Sequence, residues 1–492
     1  MSIKRYIATK DTTITNAFKA NLRTRGTGSN MGESDVSEVF SIYAQASTSS
    51  LEKARVLTQW DTAAIQTDRD AGNIPVSGSV SFYLKLHNAK HGYTVPRNIT
   101  LVVAAVSRSW DEGTGLDMEE YTDTGYANWI VASSASSGLT NWTTQGGDFH
   151  LGTYSPGTTL PFYSQTLPLG IEDLEVNVTA LVEEWLAGTS DEARKNYGVG
   201  VYLTSSQENA EDKNSYYTKK FFARRSEFFY KRPTLEARWD SARKDDAGNF
   251  YLSSSLAPAA DNLNTLYFYN NVRGQLRNIP SIDTGEILLS MYSTLGGEAI
   301  TLPVGGGVVA NNDINVTGGW DATGVYSASF AYTGSATTIY PVWHSGGTEY
   351  HTGSSVSVKS PFGSDHNPSP EYVTNITNLK SEYNTSELAR LRLYTRQKDW
   401  CPTIYTKATS VIQTDIIESG FYKVVRVVDD FEVIPYGTGS SNHTQMSFDA
   451  SGSYFDLDMS LFEGGYQYGI KFVYNVNGAY HEQPEVFKFR VE

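Results

Sequence analysis

Short apolar or aromatic anchors, each set beside Gly, Asp or Thr, recur through the first half of the chain. Ser107-Arg108-Ser109-Trp110-Asp111-Glu112-Gly113 is the first such piece. Asn141-Trp142-Thr143-Thr144-Gln145-Gly146-Gly147-Asp148-Phe149 is the second, and the run VNVTALVEEWLAG over 176–188 is the third. This is the composition of strand ends and loops in an all-β module, not of a nucleotide fold or a helical bundle. Apolar runs of strand length lie around these pieces, at 38–43, 55–60, 80–86, 99–106, 174–178, 198–203 and 220–223. Val80, Phe82, Leu84 and Leu86 alternate onto one face, whereas 100–106 is more evenly apolar, as a strand covered on both sides would be.

A chain of 492 residues is too long for one core. Tandem β-sandwich domains are expected: a jelly-roll-like sandwich over 1–240, a second over 241–365 and an immunoglobulin-like one over 366–492. The second has strand runs at 266–269, 287–292 and 325–332, and its Gly305-Gly306-Gly307 reads as a flexible turn. The proline-rich stretch 361–370 marks a boundary, because proline breaks ladder hydrogen bonding and holds its predecessor extended. In the third, strand runs fall at 391–394, 422–427, 454–457 and 486–491, with a brief helical turn possible at 386–391. Lys488 and Arg490 would guard the closing strand as an exposed edge.

One short helix is expected in the first half, over 179–186. Thr179 would cap it, Gly188 would stop it, and Leu181, Val182, Trp185 and Leu186 would bind it to the sandwich.

Composition excludes several function classes. Hydrophobic residues at 39% and aromatics at 13% are those of a folded chain, with 32 Tyr suited to half-exposed strands. A net charge of −15 argues against a broad nucleic-acid surface. Lys219-Lys220 and Arg224-Arg225 read as a charged strand edge rather than a basic patch. The single Cys401 excludes an intrachain disulfide and any Cys-based metal cluster, as expected of folding in a reducing cytosol. Neither a signal peptide nor a membrane span is expected.

The first half resembles the DNRLRE-type modules, jelly-roll-like β-sandwich domains of cell-surface and polysaccharide-associated proteins. The likeness rests on pieces that occur in order. Asp11-Thr12-Thr13-Ile14 and Ser29-Asn30-Met31-Gly32 resemble the opening, and Arg55-Val56-Leu57-Thr58-Gln59-Trp60-Asp61 resembles an inner strand. Ser109-Trp110-Asp111-Glu112-Gly113, Trp142 with Gly146-Gly147-Asp148, Val178-Thr179-Ala180-Leu181-Val182 with Trp185 and Gly188, and Arg232-Pro233-Thr234-Leu235-Glu236 follow. The polar stretch 205–215 departs from a compact module and reads as an added contact surface. The rest of the chain is similar to structural proteins of tailed phages, through Arg232-Pro233-Thr234-Leu235-Glu236-Ala237-Arg238-Trp239, Asn249-Phe250-Tyr251 and a Tyr-rich, Cys-poor composition.

No HExxH, GxSxG, P-loop or dinucleotide fingerprint is present. His87 and His91 stand four apart but border a Gly-containing loop, so a metal pair is not expected. Asp245, Asp246 and Asn249 around Gly248 read as a solvated turn rather than a calcium loop. Asp111 and Asp148 are suited to receiving loop N–H groups. No catalytic residue, cofactor or metal ligand is therefore expected. The expectation is a non-enzymatic virion component, in the capsid decoration, neck or tail, assembled in the host cytoplasm beside other virion proteins and as a homo-oligomer. The alternative is a glycan- or host-surface-binding adhesion protein. For a glycan or partner surface the candidates are Tyr121, Trp129, Trp142 and Asp148, with cover of the sandwich end as the competing role for Trp142. Trp110 and Trp185 are expected to be buried anchors.

Overall fold

The computed structural model describes residues 2–136, 138–154, 158–188, 194–301, 310–311, 314–361, 369–401, 403–407 and 414–492. Gly305-Gly306-Gly307 and most of the proline-rich stretch lie outside them. The protein is all-β, and its backbone divides into two compact units, Ser2–Asp240 and Ser241–Glu492.

In the first unit the elements run β1 (Ile3–Ile7), β2 (Lys10–Thr15), β3 (Val36–Tyr43), β4 (Leu51–Gln59), α1 (Thr62–Asp70), β5 (Ser81–Leu86) and β6 (Ile99–Ala105). They continue with the hairpins β7 (Val131–Ala135) and β8 (Gly138–Asn141), then β9 (Gly152–Tyr154) and β10 (Thr158–Leu160). The last are β11 (Tyr163–Leu167), β12 (Leu174–Asn177), α2 (Thr179–Ala187), β13 (Val199–Leu203), α3 (Ser205–Glu208), β14 (Tyr216–Phe222) and β15 (Thr234–Arg238). One sheet has the order β1-β15-β5-β12; the other has β11-β6-β13-β4-β3-β14, with β2 added along β4. The chain crosses between sheets at β4–β5–β6, β11–β12–β13 and β14–β15, the connectivity of a jelly-roll-like sandwich.

The alternating side chains explain the packing. Val80, Phe82, Leu84 and Leu86 all enter the core from one sheet, where they meet Val56, Leu101, Val103 and Val201 from the other. The helix α2 lays Leu181, Val182 and Trp185 on that core. Thr179 is its first residue rather than its cap. The Thr179 hydroxyl accepts the Phe82 N–H at 2.8 Å and donates to Asn177, so it ties α2 to β5 instead. A second helix, α1, was not expected. Asp61 caps it through Ala63 N–H at 2.9 Å, and Arg69 forks onto Glu183 of α2 at 2.6 and 3.0 Å.

In the second unit an eight-stranded sheet contains Asn264–Tyr269, Ile287–Tyr292, Asn315–Ala322, Val325–Phe330 and Thr338–Ser345, closing over Phe268, Leu289, Tyr326 and Trp343. Two further sheets follow, one built on Leu388–Gln397 and Gly452–Asp458, the other on Gly420–Arg426, Gln467–Val476 and Phe487–Val491. The segment 243–249 pairs with the later sheets: Asp245 N–H bonds the Phe448 carbonyl at 3.1 Å, and Asn249 donates to Glu418 at 2.7 Å.

Two expectations are corrected here. Residues 386–391 do not form a helical turn, because Leu388 onward pairs with Gly452–Asp458. Nor is the closing strand a free edge. Phe487–Val491 lies between Gln467–Val476 and the short strand Glu382–Tyr383, which pairs with it in parallel.

Candidate functional site

The loop 113–126 of the first unit is tied by a set of hydrogen bonds that begins at Asn30. That side chain is fully buried. Its Nδ2 donates to the carbonyls of Glu112 (2.6 Å) and Ala127 (2.7 Å), the two ends of the loop. Its Oδ1 accepts the N–H groups of Gly32 (3.0 Å) and Gly115 (3.1 Å). The close approach requires glycine. A Cβ on Gly115 would stand 2.0 Å from the Asn30 carbonyl oxygen, and one on Gly32 would stand 2.4 Å from that of Glu112.

Within the loop, Asp117 Oδ1 gathers the N–H groups of Glu119, Glu120 and Tyr121 at 2.8, 2.8 and 3.1 Å. Those bonds hold its carboxyl below the usual range. Asp123 accepts from Thr114 N–H and hydroxyl. Leu116, Tyr121 and Tyr126 remain outside this scaffold, exposed by 46%, 63% and 41%.

Beneath the loop, Arg224 joins two of the sequence pieces. It forks onto Glu112 at 2.9 and 2.6 Å, and its backbone N–H donates to Asp11 at 2.6 Å. Glu112 also accepts the Asp11 N–H at 2.8 Å. Burial pushes the Asp11 carboxyl up to about 7, the Glu112 charge adds to this, and the Arg224 contacts oppose it.

Of the four surface candidates, Tyr121 alone presents its ring to solvent. Trp129 and Trp142 are only 5% exposed and pack with Trp110, Ile14 and Leu57 in a second core cluster. Trp142 Nε1 donates to the Asn128 carbonyl at 2.8 Å, and Arg55 lies 5.3 Å over the Trp129 ring. Gly146 lets that ring close in, since a Cβ there would be 2.7 Å from it. Neither indole is placed as an open sugar platform. Asp148 accepts the N–H groups of Thr143 and Thr144 at 2.8 Å and pairs with Arg108 at 3.3 Å. Asp111 likewise accepts Ser134 N–H at 2.9 Å. Both carboxylates therefore hold loops.

Asp148 also borders a cleft of about 770 Å³ with Arg108, Phe149, Leu151 and Tyr202. Its floor is Arg55, bound at 2.6 Å through two nitrogens to Glu208 and stacked among Trp129, Phe149 and Tyr202. Glu208 belongs to the polar stretch expected to be an added contact surface. It turns inward, where it supplies the carboxylate for the half-buried Arg55 guanidinium.

The remaining candidates are structural. Lys219 is buried and donates to Asn88 and to the carbonyls of Gly170 and Glu172, and burial lowers it to about 8. Lys220 pairs with Glu38 at 2.7 Å, and Arg225 pairs with Glu33. His87 meets Asp173 at 3.0 Å. Asp245 and Asn249 are buried rather than solvated: Asp245 accepts Ala247 N–H, and Asp246 accepts Thr265 N–H. No group of three metal-ligating side chains occurs among the described residues. No helix among them is long and apolar enough to cross a membrane.

Fold and site together define a multi-sandwich all-β protein whose first unit carries a hydrogen-bonded loop with exposed Leu116, Tyr121 and Tyr126. No family model matches the chain, and no curated protein does. Among solved structures, the Yersinia pseudotuberculosis adhesin InvE overlaps 49% of this chain and 56% of its own at 13% identity, with a TM-score of 0.15. A marsupial T cell receptor overlaps 50% and 71% at 7% identity, TM-score 0.16. Native E. coli alpha-2-macroglobulin overlaps 94% and 20% at 9% identity, TM-score 0.15. This chain thus spans little more than half of the adhesin and a fifth of the macroglobulin. Overlaps this slight carry no argument about function.

Proposed function

We propose that the chain is a non-enzymatic structural subunit of a tailed-phage particle, in the capsid decoration, neck or tail, that uses the 113–126 loop as an assembly surface. One observation carries the reading: hydrogen bonds donated by Asn30 and accepted by Asp117 and Asp123 fix a loop that turns Leu116, Tyr121 and Tyr126 outward. A surface ordered in advance loses little entropy on docking, and tyrosine is favoured at the centre of interfaces. The carboxylates of this unit that invite a catalytic reading, Asp111, Glu112 and Asp148, hold backbone and arginine groups instead. The likeness of the later part of the chain to structural proteins of tailed phages points the same way, whereas that of the first half to DNRLRE-type modules favours the second reading below. Other virion proteins would be its partners, copies of the chain would repeat with the particle's symmetry, and assembly would take place in the host cytoplasm. Mass spectrometry and electron microscopy of gradient-purified particles test this. The chain should be present at a fixed copy number, and its absence from the particles sinks the assignment.

A second reading, a glycan- or host-surface-binding adhesion protein, draws on the exposed Tyr121 ring beside the polar loop. A glycan array with the full chain tests it. A saturable glycan signal lost in Tyr121→Ala favours adhesion, and no signal leaves the structural role.

A further inference from the structure

Two surfaces of opposite charge lie side by side on the first unit. One is the 113–126 loop, which carries Asp117, Glu119, Glu120 and Asp123 and no lysine or arginine. The other lies between β14 and β15, where Phe228-Phe229-Tyr230-Lys231-Arg232 carries two cations and no carboxylate. Their roots are joined. Arg224 and Arg225, just before this segment, hold Glu112 and Glu33, and the Glu33 N–H donates to the Gly115 carbonyl in the loop at 3.0 Å.

Both surfaces are ordered, and both expose apolar side chains. Phe228 and Phe229 are exposed by 49% and 45%, much as Leu116, Tyr121 and Tyr126 are. Phe228 meets the Phe222 ring edge to face at 5.3 Å, Lys231 lies 5.3 Å over Phe222, and Arg232 lies 5.3 Å over Phe229. Arg232 Nε donates to the Ser226 carbonyl at 2.9 Å, and no carboxylate among the described residues balances its charge. In the loop, Asp117, Glu119 and Asp123 accept backbone N–H groups. The exposed Glu120 side chain has no partner among the described residues.

A chain with a net charge of −15 repels its own copies at long range, so contact between copies needs a local match of sign. These two surfaces provide one. On the footing that the 113–126 loop is an assembly surface, we infer that it docks on the 228–232 segment of a second copy, in a closed two-fold dimer. Because the two surfaces adjoin, a half-turn between copies sets each loop on the other's basic segment at once. Both contacts are then used, and neither surface is left over to extend the assembly. Tyr121, Tyr126, Phe228 and Phe229 would form the apolar centre, with Glu120 and Arg232 in the polar rim.

Sedimentation equilibrium of the full chain at about 1–200 µM tests this. Wild type should be a mixture of monomer and dimer with nothing larger. Glu120→Arg and Arg232→Glu each set like charges against each other twice per dimer, and each should weaken it about tenfold or more. An equimolar mixture of the two variants should regain the wild-type affinity, because opposite charges then meet at both contacts. A monomer throughout the range, affinity unchanged by Glu120→Arg, a mixture no tighter than its components, or growth beyond a dimer overturns the inference. Glu120 is exposed, so a folding failure of Arg232→Glu leaves Glu120→Arg to decide. A monomeric wild type whose particle occupancy still falls in a Leu116→Ser, Tyr121→Ser variant overturns the dimer but keeps the loop as a surface for another virion protein.

Discussion

Arg224 and Glu112 face each other as a two-pronged pair, with Nε and Nη2 2.9 and 2.6 Å from the two carboxylate oxygens, though 112 positions separate them in the chain. The pair fastens the root of the 113–126 loop to the segment after β14, and Asp11 completes the knot through the Arg224 N–H.

Arg224→Ala should therefore destabilise the first unit by about 2–3 kcal/mol, since it strands a half-buried carboxylate that has lost two charged hydrogen bonds. Arg224→Lys, which keeps the charge but not the fork, should fall between the two. Chemical denaturation of the three proteins reads this directly.

The neighbouring Asp11 sets a pH dependence. Burial raises its folded value from 3.8 to about 7, so between those values the folded state holds a proton that the unfolded chain has released. Stability should fall as pH rises through that window and level off above it. Asp11→Asn retains an oxygen for the Arg224 N–H and removes the titration. Relative to wild type it should gain stability from about pH 5 to about pH 8, by at most about 4 kcal/mol. Urea midpoints of both proteins across that range measure the difference, and parallel curves would refute it.

Trp110 and Trp185 are buried anchors of two different clusters, Trp110 held also by Nε1 to the Tyr197 carbonyl at 2.8 Å. Either Trp→Ala change should cost about 3–5 kcal/mol. For a unit of this size that is a melting-temperature drop of about 6–20 °C, seen by scanning calorimetry.

Much of the fold was legible in the residues. Alternation placed Val80, Phe82, Leu84 and Leu86 in the core, and the spacing of Leu181, Val182 and Trp185 marked α2. The misses have physical causes. Helix α1 buries only Ile65, too little for a periodic signal. Trp142 sits in polar sequence that reads as exposed, and Trp129 packs inward against Gly146, seventeen positions further on, where a Cβ would meet its ring. Glu208 looked like surface because its partner Arg55 lies 153 positions away, and no local pattern encodes such a pairing. The loop site was half visible. Tyr121 and the Asn30-Met31-Gly32 and Glu112-Gly113 pieces stood out, but their interlocking through Asn30 required the fold.

That interlocking should be intolerant of a single methyl group. Gly115→Ala places a Cβ against the Asn30 carbonyl and should cost about 1–3 kcal/mol as the loop shifts. Hydrogen exchange should show the amides of Gly115, Leu116 and Ala127 losing protection while those of β6 and β13 keep theirs.

The most direct measurement is the particle occupancy of a Leu116→Ser, Tyr121→Ser double variant beside wild type, by quantitative mass spectrometry of purified particles. Both side chains are exposed, so stability should change by less than about 1 kcal/mol. If the loop is the assembly surface, occupancy falls by about tenfold or more with the melting temperature preserved. Full occupancy of the double variant would contradict the assignment of this loop.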